Sequence, residues 1–429
     1  MPTDQLTSES IFSNDKTATQ AVTGIYSEMI NKLTLFSSAQ TTFLAGMCAD
    51  ELYNYTPGYE DAFVNNELTA NGTNNIESLF WNPCYRFIYA ANRCIEGAEK
   101  SASLSPLVKQ MVIGEAKFIR AFCYYYLVNL FGDVPLILST EYQTSQSLPR
   151  ESAAKIYLQL VADLREAENF LLAIYPTAER ARPNKSAASA LLARIYITQK
   201  DWVNAEAAAN AVISTGIYSL PNDLNNVFLY NSNETIWQLK PVAPSRNTWE
   251  GYFLIPSSAT AAPTYLLTTG LLNSFETNDQ RKINWTKAHT FAGSTLYYPY
   301  KYKVMSGTTA SENYIVLRLA EQYLIRAEAR AEQNKVTESQ SDLNQVRFRA
   351  GLNNTTASDK ASLLTAIEKE RRAELFAEWG HRWFDLKRTG RATAVLGSLK
   401  PTWQSTDELW PLPQTQINLN PYLIQNNGY

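Results

Sequence analysis

At 429 residues, 45% of them apolar and 18% charged, the chain is long enough for two or three ordinary domains or for one large unit. Its formal charge of -3 lacks the basic footprint of a nucleic-acid-binding protein, and no stretch approaches the roughly 18–20 apolar residues of a membrane-spanning helix. Cys48, Cys84, Cys94 and Cys123 form no CxxC pair and have no histidine at zinc-finger spacing, so they read as buried free thiols rather than metal ligands.

In chain order, Met1-Pro2-Thr3-Asp4 has neither the basic start nor the apolar core of an export signal, and taken literally reads as cytoplasmic. Helical scaffold is expected over about 15–48, 76–131, 152–217 and 314–390, with breaks at Pro135, Pro149 and Pro183. Cys84 and Cys94 fall on one predicted helix, where ten residues span about 15 Å, which disfavours a bridge between them. In residues 186–213, Leu192, Ala193 and Tyr196 are followed by Ala205 and Ala209, a tetratricopeptide spacing in which small residues let two antiparallel helices approach closely. Residues 323–346 repeat the format around Ala327, Leu343 and Val346, and helices at 114–131 and 152–174 form a third copy. Such pairs bury their faces only by stacking, so the expected fold is mostly α: a tetratricopeptide-like helix-pair superhelix, with long loop-rich insertions carrying a few short β-strands.

The insertions are 49–75 and 218–312, both too long and too aromatic for idle connections. Sugar rings offer a weakly apolar face and a rim of hydroxyls, so a saccharide site stacks aromatics on the face and places amides or charges at the rim. The first insertion supplies Tyr53, Tyr55, Tyr59 and Phe63 beside Asp61, Asn65, Asn66, Asn71 and Asn74. The second supplies Trp249, Tyr252, Tyr265, Trp285, Tyr297 and Tyr298, with Arg246, Asp279 and Arg281 nearby. Two or three rings of this set are expected to line a ligand surface. Trp81 reads first as core, but is kept among the ligand candidates.

Residues 367–390, IEKERRAELFAEWGHRWFDLKRTG, read as one helix with Leu375, Trp379, Trp383 and Leu386 on a stripe and with Glu368–Arg372 and Glu378–Arg382 rungs. A tail, 391–429, follows. Glu370, Glu374 and Glu378 recur every four residues among Arg371, Arg372 and Arg382, which reads as a structural ion network rather than a catalytic carboxylate pair. Catalysis has poor support. His381 reads as packed or exposed, His289 has no companion ligand, and no nucleophile elbow, phosphate loop or dinucleotide motif occurs.

The ERRAEL helix, the FDLKRTG that follows and the terminal PLP, Asn420-Pro421 and Gln425-Asn426 together resemble the SusD/RagB family. GEAKFIRAFCYYYLVNLFGDVPL (114–136) is the strongest further match, with LFWNPCYRFIYAANRCIEG (79–97), residues 320–352 and residues 1–26 in the expected order. The resemblance implies a single SusD-like domain over 1–429, no enzymatic activity and no cofactor, though acidic side chains could hold a structural calcium ion. It implies a cell-surface lipoprotein of the outer membrane that captures an oligosaccharide and passes it to a SusC-like TonB-dependent transporter. The export signal and lipidated cysteine would then lie just before the Pro2 position. The family offers a peptide-binding alternative of the RagB type. A different class is a tetratricopeptide-type scaffold without small ligand, which predicts a large exposed apolar groove. Asn92, Arg120, Asp133, Arg382 and Asp385 fall on motif positions and are expected to cap, turn and pair within the scaffold.

Overall fold

Ten helices of eight or more residues carry the fold among the described residues, which in this computed structural model are 8–32, 35–242 and 247–429. They are α1 (Asp15–Asn31), α2 (Asn82–Lys100), α3 (Pro106–Phe131), α4 (Ala153–Phe170), α5 (Lys185–Thr198), α6 (Trp202–Ile213), α7 (Leu319–Glu332), α8 (Val336–Arg349), α9 (Lys360–Leu375) and α10 (His381–Arg388). The expectations for residues 1–7 and for Arg246 lie outside the described residues.

Local chemistry starts and stops these helices. Asn14, Ser152, Asn184, Asp201 and Asp359 each accept a first-turn backbone N–H, and α2 and α3 carry proline in the first turn, where a missing donor costs nothing. The hairpins α5–α6 and α7–α8 end their first helices in the same way. Lys200 and Asn334 adopt left-handed φ of 60°, and Asp201 N and Lys335 N donate back to Tyr196 O and Arg330 O at 2.9 and 2.8 Å. This Schellman closure satisfies carbonyls that the helix leaves open and turns the chain back on itself. Ala193, Ala205, Ala209 and Ala327 are fully buried at the helix contacts. The pairs α3–α4, α5–α6 and α7–α8 stack in chain order through α4 against α5 and α6 against α7, and α9 closes on α7 and α8. The mostly helical superhelix expected from spacing is therefore the fold.

Among the described residues six short strands join in antiparallel twos: β1 (Leu52–Asn54) with β3 (Tyr265–Leu267), β2 (Thr235–Leu239) with β6 (Tyr314–Arg318), and β4 (Thr286–Phe291) with β5 (Ser294–Pro299). β2 falls inside the span read as an insertion, yet every one of its residues is buried and Trp237 packs edge-on against Phe118 and Phe122 of α3, with centroids at 4.8 and 5.2 Å. It belongs to the core.

Residues 367–390 are not one helix. α9 stops at Leu375 and α10 starts at His381, because Ala377, Trp379 and Gly380 all adopt left-handed φ (49°, 47° and 72°), which a right-handed helix cannot contain. Tertiary bonds hold this costly turn: Trp379 N donates to Thr42 Oγ1 at 3.1 Å, Ala377 N to Glu51 Oε2 at 3.2 Å, and the Trp379 ring stacks on Tyr314 at 4.5 Å. A Cβ on Gly380 would lie 2.6 Å from that of Ala45, so nothing larger fits. Among the described residues neither expected rung forms an ion pair. Arg372 reaches Asp50, Arg382 reaches Asp50 and Glu368, and Glu378 turns to Arg318 and Lys301.

The four cysteines are buried and free, and desolvation pushes the thiols of Cys48 and Cys94 up to about 12. In the native state none is expected to react with a thiol reagent at pH 8, and all should react after unfolding; a Cys titrating without denaturant would contradict this packing.

Candidate functional site

The two insertions meet in one ladder. Tyr53 pairs with Leu266 and Asn54 with Tyr265, Tyr55 N donates to Thr264 O at 2.9 Å, and Thr268 N to Glu51 O at 2.9 Å. Beyond β1 the chain folds into a tight turn, where Asn54 Nδ2 donates to Asp61 Oδ1 at 2.8 Å and Gly58 N to Asp61 Oδ2 at 3.2 Å. The Tyr265 hydroxyl donates to Glu60 Oε1 at 3.1 Å, tying the second insertion to that turn. Tyr55 meets Phe291 of β4 edge-on at 5.6 Å, so the β4–β5 hairpin leans on the first insertion.

The partly exposed rings lie on the elements that form this junction. Tyr55 is 39% exposed and Tyr252 40%, while Tyr53, Tyr59, Phe253 and Phe291 are half-buried. Tyr252 and Phe253 sit on the short helix Trp249–Leu254, which packs on β3, and their rings meet at 5.1 Å. Tyr297 does not join them. It pairs with Ala288 and so lies on the opposite face of the hairpin from Phe291, because strand side chains alternate.

Several candidates are closed to a ligand. Trp81 is core, wedged against Tyr85 and Phe131. Trp249 is buried and donates its indole N–H to Ile30 O at 2.8 Å, anchoring the short helix that displays Tyr252. Trp285 is fully buried with its N–H on Leu224 O, and its ring faces Lys301, Arg349 and Arg318 at 4.7, 5.5 and 5.9 Å. It roofs a cationic interior rather than a sugar. Asp279 and Arg281, expected at the rim, are buried in the ion network: Arg281 binds Asp279, Glu370 and Glu374. Phe63, Tyr265 and Tyr298 are likewise buried. Asn66 is buried in a left-handed conformation and accepts from Lys400, and Asn74 folds back on Thr69 O at 2.9 Å. Asn65 and Asn71 stay exposed, but their segment is held by the tail through Thr402 to Asn65 O and Gln414 N to Ala70 O. The segment 65–70 is thus tied to the tail, with Asn66 the one of these amides that bonds it, whereas Tyr55 meets the second insertion.

Phe253 and Phe291 were absent from the sequence candidates. Phe291 carried a signal: TKAHTF and STLYYP flank Ala292-Gly293, and both linker residues take positive φ (48° and 80°), as a two-residue hairpin turn demands. Phe253 had none beyond its neighbour Tyr252.

The ion network stands as structural, with partners other than those expected. Glu374, fully buried, binds Arg281, Arg318 and Arg349 from three different elements, and these hold its carboxyl well below the usual range despite desolvation. His381 is buried among cations, and desolvation first, then Arg194, keeps its imidazole neutral. Asn92, Arg120 and Asp163 form a closed buried set, Asp133 accepts from Ala153 N, and Asp385 binds Arg371 and Arg388. Among the described residues no group of three His, Cys, Asp or Glu side chains is placed to hold a metal ion.

Two family models match in tandem: one described as starch-binding associating with outer membrane over residues 3–197, and the SusD family over 242–429. SusD-like protein P2 of Formosa agariphila is 28% identical, covering 100% of this chain and 95% of its own. A SusD superfamily protein from Bacteroides vulgatus superposes with a TM-score of 0.86 at 21% identity, covering 98% of this chain and 100% of that one. A laminarin binding SusD-like protein gives 0.83 at 24% identity over 97% and 100% of the two chains.

Proposed function

This chain belongs to the SusD/RagB family, and on that premise we propose that it is a cell-surface glycan-binding protein that captures oligosaccharides on the ring-bearing junction of its two insertions. The observation that supports the reading is the β1–β3 ladder, which joins two segments some two hundred residues apart, with Tyr55 against Phe291 and the helix bearing Tyr252 and Phe253 packed on β3. Rings fixed by backbone pairing and edge contacts lose little freedom when a sugar stacks on them, which is what a shallow polar ligand requires. The family is non-catalytic, and the proposed role is binding alone. In this proposal a lipid at the N-terminal side holds the protein on the outer leaflet, and a SusC-like TonB-dependent transporter receives the glycan. The relative that binds laminarin makes β-glucans a sensible first ligand class.

Calorimetric titration against a glycan panel and a peptide mixture tests the reading. Saturable binding to a glycan supports it, and binding to peptides alone overturns it in favour of the RagB-type alternative. Tyr55→Ala and Tyr252→Ala should each weaken glycan affinity about tenfold, the loss of one stacked ring. Tyr297→Ala, on the other hairpin face, should leave it within about twofold.

A further inference from the structure

Behind the root of the ladder, α9, the short helix Ala392–Leu396 and residues 270–281 enclose a cleft of about 740 Å³. Arg372 donates to Asp50 Oδ2 at 2.6 Å. Arg382 donates through Nε to Asp50 Oδ1 at 2.9 Å and through Nη1 to Glu368 Oε1 at 3.0 Å, and Arg391 takes the other oxygen of Glu368. Each carboxylate is thus shared between two guanidinium groups, and three positive charges stand against two negative ones.

Around the rest of the cleft Asp279 is held by Arg281, Glu276 by Arg347, and Glu370 by both of these arginines, so three carboxylates there share two guanidinium groups. Lys369 at the exposed rim offsets that difference, and the cleft keeps one net positive charge. The Nε–H of Arg372 is buried with no hydrogen-bond partner, a donor whose desolvation is uncompensated. Planar guanidinium donors recognise two oxygens of one anion better than any neutral group.

We propose that this cleft binds an oxyanion group, a sulfate or a carboxylate, carried by an acidic saccharide or present as the free ion. Val395 and Leu399 give it an apolar side on which the body of a charged sugar can lie, and Asn273 and Ser398 supply neutral polar contacts. The cleft adjoins the Leu52/Leu267 end of the ladder, where Thr268 Oγ1 donates to Asp50 O at 2.6 Å, while Tyr55 and Phe291 stand past the other end. It is therefore separable from the ring surface.

The test is titration of the protein with inorganic sulfate, with a sulfated monosaccharide and with glucuronate, at ionic strength held constant by chloride. The wild type should show a saturable response with sulfate. Arg391→Gln combined with Lys369→Gln, both exposed at the rim, should weaken it by about fivefold or more. The Tyr55→Ala/Tyr252→Ala protein should respond as the wild type does, so failure of the ring surface leaves this result intact. A charged saccharide that binds more tightly than inorganic sulfate supports the site with the ligand-borne group as its occupant, and equal affinity supports it with the free ion. No saturable response to any of the three, or a response that the Arg391/Lys369 variant retains in full, overturns the proposal.

Discussion

Glu374→Ala is expected to destabilise the protein by about 3–5 kcal/mol, a large part of the total stability of an ordinary domain. The carboxylate is fully buried and is the common acceptor of Arg281 from the second insertion, Arg318 from β6 and Arg349 from α8. Removing it strands three desolvated guanidinium groups, of which Arg318 retains Glu234 and Glu378, Arg281 retains Asp279 and Glu370, and Arg349 retains Glu234. Those remaining acids limit the damage but cannot cancel it, since each is already engaged. Glu368→Ala serves as the comparison, because that carboxylate is partly exposed and its pairs are screened. Urea midpoints of the two variants, read at equal slope, check the ordering; equal losses would mean that the buried network contributes no more than a surface pair.

Stability should fall as pH rises from about 4.5 to 8, with Glu312, raised to about 7 by desolvation, adding to a slope set chiefly by Glu51 and Glu250. Both carboxyls are buried, and desolvation raises each to about 8, with neighbouring Asp50 adding to the effect at Glu51. Among the described residues Glu51 Oε1 and Glu250 Oε2 have no hydrogen-bond partner, and no arginine or lysine forms an ion pair with either carboxylate. For a carboxyl whose folded value lies above its unfolded one, the folded state holds the proton more tightly. Between the two values the native form therefore binds more protons than the unfolded form, and each group removes roughly 1.4 kcal/mol per pH unit as pH rises, with no further change above the folded value. Asp50, Glu374, Glu378 and Asp385 act in the opposite sense: their ion pairs hold them below the ordinary range, so their stabilisation is present above about pH 4 and is lost as pH falls further. Glu250→Gln should flatten the neutral limb and leave the acid limb unchanged, measured as urea midpoints at pH 5, 7 and 9. An unaltered slope in the variant would show that Glu250 is ionised throughout.

These two carboxyls sit where the proposed ligand surface is anchored. Glu51 immediately precedes β1 and accepts from Ala377 N in the turn between α9 and α10, and Glu250 lies on the helix that displays Tyr252, accepting from Thr42 at 3.4 Å. Thr42 in turn meets Tyr314 at 2.9 Å and Trp379 N. The placement of the rings therefore depends on a buried polar junction that charge would disturb.

The sequence by itself determined the scaffold. Small residues at tetratricopeptide spacing, a nearly all-apolar α3, asparagine, serine and aspartate caps and two left-handed hairpin closures are local signals, and local signals survive into the fold because each is satisfied within one helix or one helix pair. Family motifs spread along the chain led to the same answer. Tertiary structure alone decided which side chains meet across long separations. Spacing put Glu378 beside Arg382, yet three left-handed residues between α9 and α10 break the helix, and Glu378 turns to Arg318 and Lys301 instead. Trp285 looked like a ligand ring because it lies in a polar loop, but no periodicity records that three buried cations gather under its face. The joining of the insertions through β1 and β3 is equally invisible, since a three-residue strand has almost no preference of its own and forms only where a partner some two hundred residues away presents its edge.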